Sequence, residues 1–214
     1  ALAWKRCAMK DERGGYYGRI LDTPWCKGIV WNLNCSPGQG PDGEFAAKFP
    51  ATLAATNHYV DSAEMYVTDP LDFNRANFAG MSTPLVFDAK TLRPAVYKGL
   101  MAYEYVRGAW ENARRRGGRT MANGTPIIWC WLAPYLDVMG TETNWHPKDR
   151  WSPSEDDRLI VTRALCGAKP FCFLQNTDFN TFTYEMCEKY MQRSLAYGFY
   201  PSFFSPAATS ASHY

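Results

Sequence analysis

The chain has 214 residues, 46% of them hydrophobic and 21% charged, with a formal net charge of +2. That is enough apolar material for one substantial core, and too little charge excess to favour nucleic acid or an anionic lipid surface as a partner. No apolar run approaches the roughly 20 residues needed to span a bilayer. The one dense basic run, Arg114-Arg115-Arg116, reads as a solvated helix end.

The sequence begins Ala-Leu-Ala-Trp, with no initiator Met and no signal-peptide pattern. The expectation is a processed chain or a piece of a longer one. The compartment stays open, with a soluble protein, secreted or periplasmic in a bacterium, as the working expectation. Seven Cys is an odd count, and none forms a Cys-x-x-Cys pair. Cys130, Cys166, Cys172 and Cys187 sit in apolar contexts and read as small buried hydrophobes. A disulfide scaffold or zinc site is therefore not expected. His58, His146 and His213 are too dispersed to suggest a metal centre, and no cofactor is implied. Eight Trp, thirteen Tyr and twelve Phe would supply either a large aromatic core or flat platforms for a ligand.

Strand-like and helix-like segments alternate along the chain. The stretch 16–21 reads as a weakly marked strand, and Gly28-Ile-Val-Trp-Asn-Leu-Asn34 as the first clear one. A short helix over 46–55 leads into a second strand, His58-Tyr-Val-Asp61, followed at once by Ser62-Ala-Glu64. About thirty residues of connection follow, from Tyr66 to Ala95, a length that is usually functional; within it, 84–94 suggests a small hairpin. From Lys98 to Arg116 the apolar residues Leu100, Met101, Tyr103, Val106, Ala109, Trp110 and Ala113 form a helical stripe ended by Gly117-Gly118. Arg119–Asn123 is a third strand. Tyr135–Met139 is a fourth, stopped by Gly140. Ser152-Pro-Ser-Glu155 resembles a capping box opening a helix that ends at Gly167. Pro170–Gln175 is a fifth strand, about 184–197 a helix ended by Gly198, and Phe199–Phe204 a sixth strand.

Alternating strands and helices imply βαβ units and a parallel sheet. No Gly-x-Gly-x-x-Gly turn or phosphate-binding loop follows any strand, which removes the commonest doubly wound cofactor binders. Polar residues instead end nearly every strand, as in a barrel that draws its site from successive strand ends. The expected fold is α/β, a (β/α)8-type TIM barrel with residues 1–214 as one catalytic domain. A full barrel takes about 250 residues and only six strands are marked, so one or two N-terminal βα units are missing. A partner chain or a missing segment would then cover the open edge.

In a parallel sheet the strand-end residues Asn32, Asn34, Asp61, Glu64, Asn123, Asp137, Glu142, Asn144, Asn176 and Asp178 gather on one rim. Clustered carboxylates push one another's proton affinities apart, and cleavage of a glycosidic bond needs two carboxyl groups flanking it. Asp61, ending a rigid apolar strand, suits the nucleophile. Glu142 suits the acid/base, with Asp137 as its competitor. Glu64, Tyr66, Asn32, Asn34, Asn123, Trp145, Asn176 and Asp178 are the candidate contacts to a carbohydrate substrate.

The segments Tyr59-Val-Asp-Ser-Ala-Glu-Met-Tyr66, Met121-Ala-Asn-Gly-Thr-Pro126, Leu136-Asp-Val-Met-Gly-x-Glu142 and Leu174-x-Asn-x-Asp178 resemble bacterial TIM-barrel glycoside hydrolase-like proteins. They are distantly similar to the retaining α-galactosidase and endo-α-N-acetylgalactosaminidase barrels. The resemblance covers roughly 28–205. It implies an Asp nucleophile at a strand end, which Asp61 matches, and an acid/base two strands later, near Asp137 or Glu142. Two other readings stay open: a non-catalytic carbohydrate-binding protein on an incomplete barrel, and a Ca²⁺- or Mg²⁺-dependent hydrolase with Asp61, Glu64, Asp137 and Asp178 as oxygen ligands.

Overall fold

A computed structural model describes residues 7–23, 26–36, 56–64, 70–126, 130–176 and 182–203. The helix expected over 46–55, together with Tyr66 and Asp178, lies outside them. Where the sequence reads as one barrel domain, the chain divides into two compact units: 1–58 with 65–118, and 59–64 with 119–214. No helix among the described residues is long and apolar enough to cross a membrane.

The first unit is antiparallel. Strands β1 (Gly18–Thr23) and β2 (Cys26–Trp31) pair from Gly18 opposite Trp31 to Thr23 opposite Cys26. This corrects the expectation of a parallel-sheet strand over 28–34. Two residues separate these strands, and so short a link permits only antiparallel pairing, because a parallel crossover needs a dozen or more. A second sheet has β6 (Pro94–Tyr97) between β4 (Leu71–Asp72) and β5 (Val86–Phe87). The hairpin expected within 84–94 is the β5–β6 pair, with Phe87 opposite Pro94. Asp88 closes its turn by accepting from the Thr91 amide and hydroxyl at 2.8 and 2.6 Å.

Helix α1 (Lys98–Arg115) buries Met101, Val106, Ala109 and Ala113 of the predicted stripe, together with Ala102, and leaves Leu100, Tyr103 and Trp110 half-buried. It stops where Gly117 takes φ +72°, and the Gly118 amide returns to the Ala113 carbonyl at 2.8 Å. Met101 packs with Met9 and Val96 in the unit's core. Asp72, fully buried, ties three chain segments together. It accepts from the Lys10 and Asn74 amides at 2.9 and 2.8 Å and from the Asn77 side chain.

The second unit contains a five-stranded sheet of order β10-β9-β8-β7-β3. Its members are β3 (His58–Val60, of which Tyr59 and Val60 belong to this unit), β7 (Thr120–Asn123), β8 (Val138–Thr143), β9 (Phe171–Gln175) and β10 (Tyr200–Phe203). The registers of β7 with β8, β8 with β9 and β9 with β10 are all parallel. Helix α2 (Asp156–Cys166) connects β8 to β9, and α3 (Tyr184–Ala196) connects β9 to β10. The molecule is thus mixed α/β with a parallel sheet, and its described residues form no closed barrel: β10 and β3 are the outer strands.

Alternation splits β9 into two faces. Phe171, Phe173 and Gln175 are buried, while Cys172 and Leu174 are half-buried. The Phe face is an aromatic core. Phe171 and Phe173 each lie 4.9 Å from Phe199, Trp145 lies 5.1 Å from Phe173, and Tyr190 of α3 lies 5.2 Å from Phe203. Such offset and edge-on pairs each add about 0.5–1.5 kcal/mol beyond area burial.

Two local expectations are corrected. Strand β8 runs to Thr143 and Gly140 lies inside it. Glycine is needed there for close approach rather than for a stop: a Cβ would stand 2.6 Å from the Cys172 carbonyl oxygen. Helix α2 starts at Asp156 with no side-chain cap. Ser152, the expected cap, lies outside the helix, whose N-cap position is held by Glu155; Ser154 accepts from the Trp145 indole nitrogen at 3.2 Å, and Asp156 and Asp157 supply negative charge to the first turn.

Candidate active site

Four neighbouring strands of the second unit deliver polar side chains at their C-terminal ends. Asp61 follows β3, Asn123 closes β7, Glu142 is the penultimate residue of β8, and Asn176 follows β9. The register sets Asn123 beside Gly140 and Glu142 beside Leu174, so Asn123 and Glu142 share the face opposite the aromatic core.

Asn123 is the hub. Buried to 4% exposure, it donates from Nδ2 to Asp61 Oδ1 at 2.9 Å and to Glu142 Oε1 at 3.0 Å. Its Oδ1 accepts the Glu142 backbone amide at 3.2 Å. That acceptor and those two acids fix which end of the amide is nitrogen. Asn176 donates to the second oxygen, Glu142 Oε2, at 3.1 Å, and its backbone amide extends the β8–β9 ladder to the Thr143 carbonyl at 2.7 Å. Both acids are solvent-exposed.

Backbone geometry supports this placement. Ser62, directly after Asp61, has φ +51°, and Gly124, directly after Asn123, has φ +71°. Left-handed backbone at a non-glycine residue costs on the order of 1 kcal/mol and collects where a side chain must be aimed. Here two adjacent strands turn away immediately beyond the residues that meet.

Tyr59 completes the cluster, and sequence reasoning did not single it out. Burial first, then the Asp61 and Glu142 charges, push the phenol above its ordinary proton affinity. The available signal was the two-residue spacing of Tyr59 and Asp61, which sets both on one face of a strand.

The remaining candidates are distributed elsewhere. Asp137 precedes β8, at the N-terminal end of the sheet, where it accepts from the Thr120 amide at 2.9 Å; this removes it as a competitor of Glu142. The reason is the three-residue shift of β8 relative to the expected strand. Trp145 is 1% exposed inside the aromatic core, so it offers no platform to a ligand. Glu64 is buried at 2% exposure just beyond Asp61. Asn144 accepts the His146 amide at 2.9 Å. Asn32 and Asn34 belong to the first unit. There Asn32 accepts from Lys98 Nζ at 3.5 Å, and buried Asn34 accepts from the Ser36 amide and hydroxyl at 2.9 and 2.7 Å.

Among the described residues, no group of three or more His, Cys, Asp or Glu is arranged to hold a metal ion. A cleft of about 530 Å³ in the same unit is bounded by Thr141, Thr143, Val161 and Leu165 over Phe171 and Phe173, with Glu142 at its wall. Strand alternation puts those threonines and phenylalanines on the opposite sheet face from Asn123. The arrangement as a whole defines a pair of exposed acids bridged by a buried amide at the C-terminal edge of a parallel sheet. Comparison with family models, curated proteins and solved structures finds no match to the chain.

Proposed function

We propose that the second unit carries a retaining glycoside hydrolase site, with Asp61 as nucleophile and Glu142 as acid/base, on a sheet of the (β/α)-barrel type. The carrying observation is the shared nitrogen. One oxygen of each acid bonds the same Asn123 Nδ2, at 2.9 and 3.0 Å, which supports two carboxyl groups close enough to flank one glycosidic bond.

In this reading Asp61 attacks the anomeric carbon as the bond to the leaving oxygen breaks, and Glu142 gives that oxygen its proton. Glu142 then takes a proton from water, which attacks the anomeric carbon and releases Asp61. Asn123 keeps the acids in register, and Asn176 steadies the Glu142 oxygen that Asn123 does not reach. The substrate is an oligo- or polysaccharide, and the chemistry calls for no cofactor. The parallel sheet and its strand-end acids support a barrel-type enzyme, because such folds place their chemistry at that edge.

Asp61→Asn tests the assignment. It should abolish saccharide turnover while leaving the unfolding midpoint and saccharide binding near wild type. Unchanged turnover in that variant rules out Asp61 as the nucleophile. A non-catalytic saccharide-binding protein is the second reading, favoured by the Asn123 amide already spanning both acids. It predicts saccharide binding with no product released by wild type.

A further inference from the structure

We propose that Glu142 carries its catalytic proton on Oε2, and that Asn176 is the positioning residue for that proton, turning its side-chain amide over as Glu142 loses and regains it. This role rests on the glycoside-cleaving reading of the same site.

A general acid alternates between carboxyl and carboxylate. The carboxylate only accepts hydrogen bonds, whereas a protonated oxygen has to donate one. Both oxygens of Glu142 face amide nitrogens, Oε1 at 3.0 Å from Asn123 and Oε2 at 3.1 Å from Asn176. A proton on either oxygen would meet an N–H donor, so one of the two amides has to reverse.

Asn123 is the one that stays. Its Nδ2 serves Asp61 at 2.9 Å as well as Glu142, and its Oδ1 accepts the Glu142 backbone amide at 3.2 Å. Reversal would aim Oδ1 at the Asp61 carboxylate and Nδ2 at a backbone N–H. Three bonds would be lost in a side chain only 4% exposed. Oε1 is thereby kept an acceptor.

Asn176 meets the opposite conditions. Its backbone is pinned, the amide donating to the Thr143 carbonyl at 2.7 Å. Its side chain is exposed and, among the described residues, bonds Glu142 alone. The last torsion of Asn is broad and roughly two-fold, so turning over exchanges nitrogen for oxygen at little cost. With Glu142 ionised, Nδ2 donates to Oε2. With Oε2 protonated, the reversed amide offers Oδ1 to that hydrogen. The proton is held on the exposed oxygen until the leaving oxygen replaces Asn176 as its acceptor. It passes to that oxygen as the bond to the anomeric carbon breaks, and Oε2 regains a proton from the attacking water.

Asn176→Ala removes the adaptable amide. The probes are matched pairs of glycosides, α- and β-linked glucose, galactose and mannose, each with a methyl or a 2,4-dinitrophenyl leaving group. Methoxide leaves only with a proton, and dinitrophenolate leaves without one. For Asn176→Ala, kcat/KM should fall about tenfold on the methyl glycoside and stay within about twofold on its dinitrophenyl partner. An equal loss on both, or no loss on either, overturns the role while leaving the reading of the site intact. Absence of turnover by wild type on every probe defeats that reading and the role with it. A second measurement needs no substrate: the NMR signals of the Asn176 side-chain amide should move as acid is added, and this response should vanish in Glu142→Gln. No movement in wild type, or movement that persists in Glu142→Gln, overturns the pairing itself.

Discussion

Thr120 and Asp137 lock the sheet edge remote from the acids: the Asp137 carboxylate accepts the Thr120 amide at 2.9 Å, and the Asp137 amide donates to the Thr120 carbonyl at 2.8 Å. The pair starts β7 and β8 in register, which in turn sets Asn123 beside Gly140. Asp137 is therefore structural. Asp137→Ala should lower the unfolding free energy by about 1–3 kcal/mol, the cost of leaving a buried backbone donor unmet. Turnover of the remaining folded protein should stay near wild type. A loss of kcat with unchanged stability would return Asp137 to the catalytic set.

Asn123→Ala removes the bridge between the acids. Two negative groups close together, with the shared amide gone, should move apart or share a proton. Turnover should fall at least tenfold, and stability by about 1–2 kcal/mol for the lost side-chain bonds. Kinetics and denaturant unfolding of the same sample check both. A stability loss with full activity would make the bridge architectural only.

Asp72 gives the first unit a pH dependence of known sign. Burial raises its proton affinity, outweighing the three donors that favour the anion. A carboxyl with a raised folded pKa binds more protons in the fold than in the unfolded chain, so its contribution is present below the unfolded value of about 3.9 and is lost as pH rises through the folded value. Unfolding free energy should accordingly decline over that interval, and Asp72→Asn should flatten the decline. Asp72→Ala removes the acceptor of the Lys10 and Asn74 amides and of one Asn77 side-chain bond and should cost about 1–3 kcal/mol, read as a lowered denaturant midpoint.

Trp145 distinguishes core from platform. Trp145→Ala should cost about 3–5 kcal/mol, since the ring packs against Phe173, Tyr190 and Trp151. Saccharide affinity of the folded fraction should be retained. A selective loss of affinity with little loss of stability would put the indole in contact with ligand.

The parallel half of the molecule was legible because its strands are short apolar runs separated by strong helical stripes. Helices α1 and α3 fall within a residue or two of expectation, as do β7, β9 and β10. Gly140 misled because glycine stops strands more often than it permits a tight crossing inside one. The misplacement of β8 carried Asp137 to the wrong end of the sheet and left Glu142 as a loop residue. Asn32 and Asn34 were misassigned for a different reason: a strand's own sequence does not say whether its partner is parallel, and the two-residue link between β1 and β2 outweighed the βαβ rhythm. The meeting of Asp61, Asn123, Glu142 and Asn176 was legible as strand-end chemistry. The hub role of Asn123 was not, because it depends on a cross-strand register that no local pattern encodes.

The bridging amide belongs to an Asn-Gly dipeptide, Asn123-Gly124, the pairing most prone to spontaneous loss of ammonia through a cyclic imide. Hydrolysis there would convert the spacer between two acids into a third acid, turning a mutually tolerant set into one that repels itself. The bonds that hold Asn123 in place also shield it from this reaction. The age of a preparation thus becomes a chemical variable, readable as a mass gain of about one dalton on a single peptide.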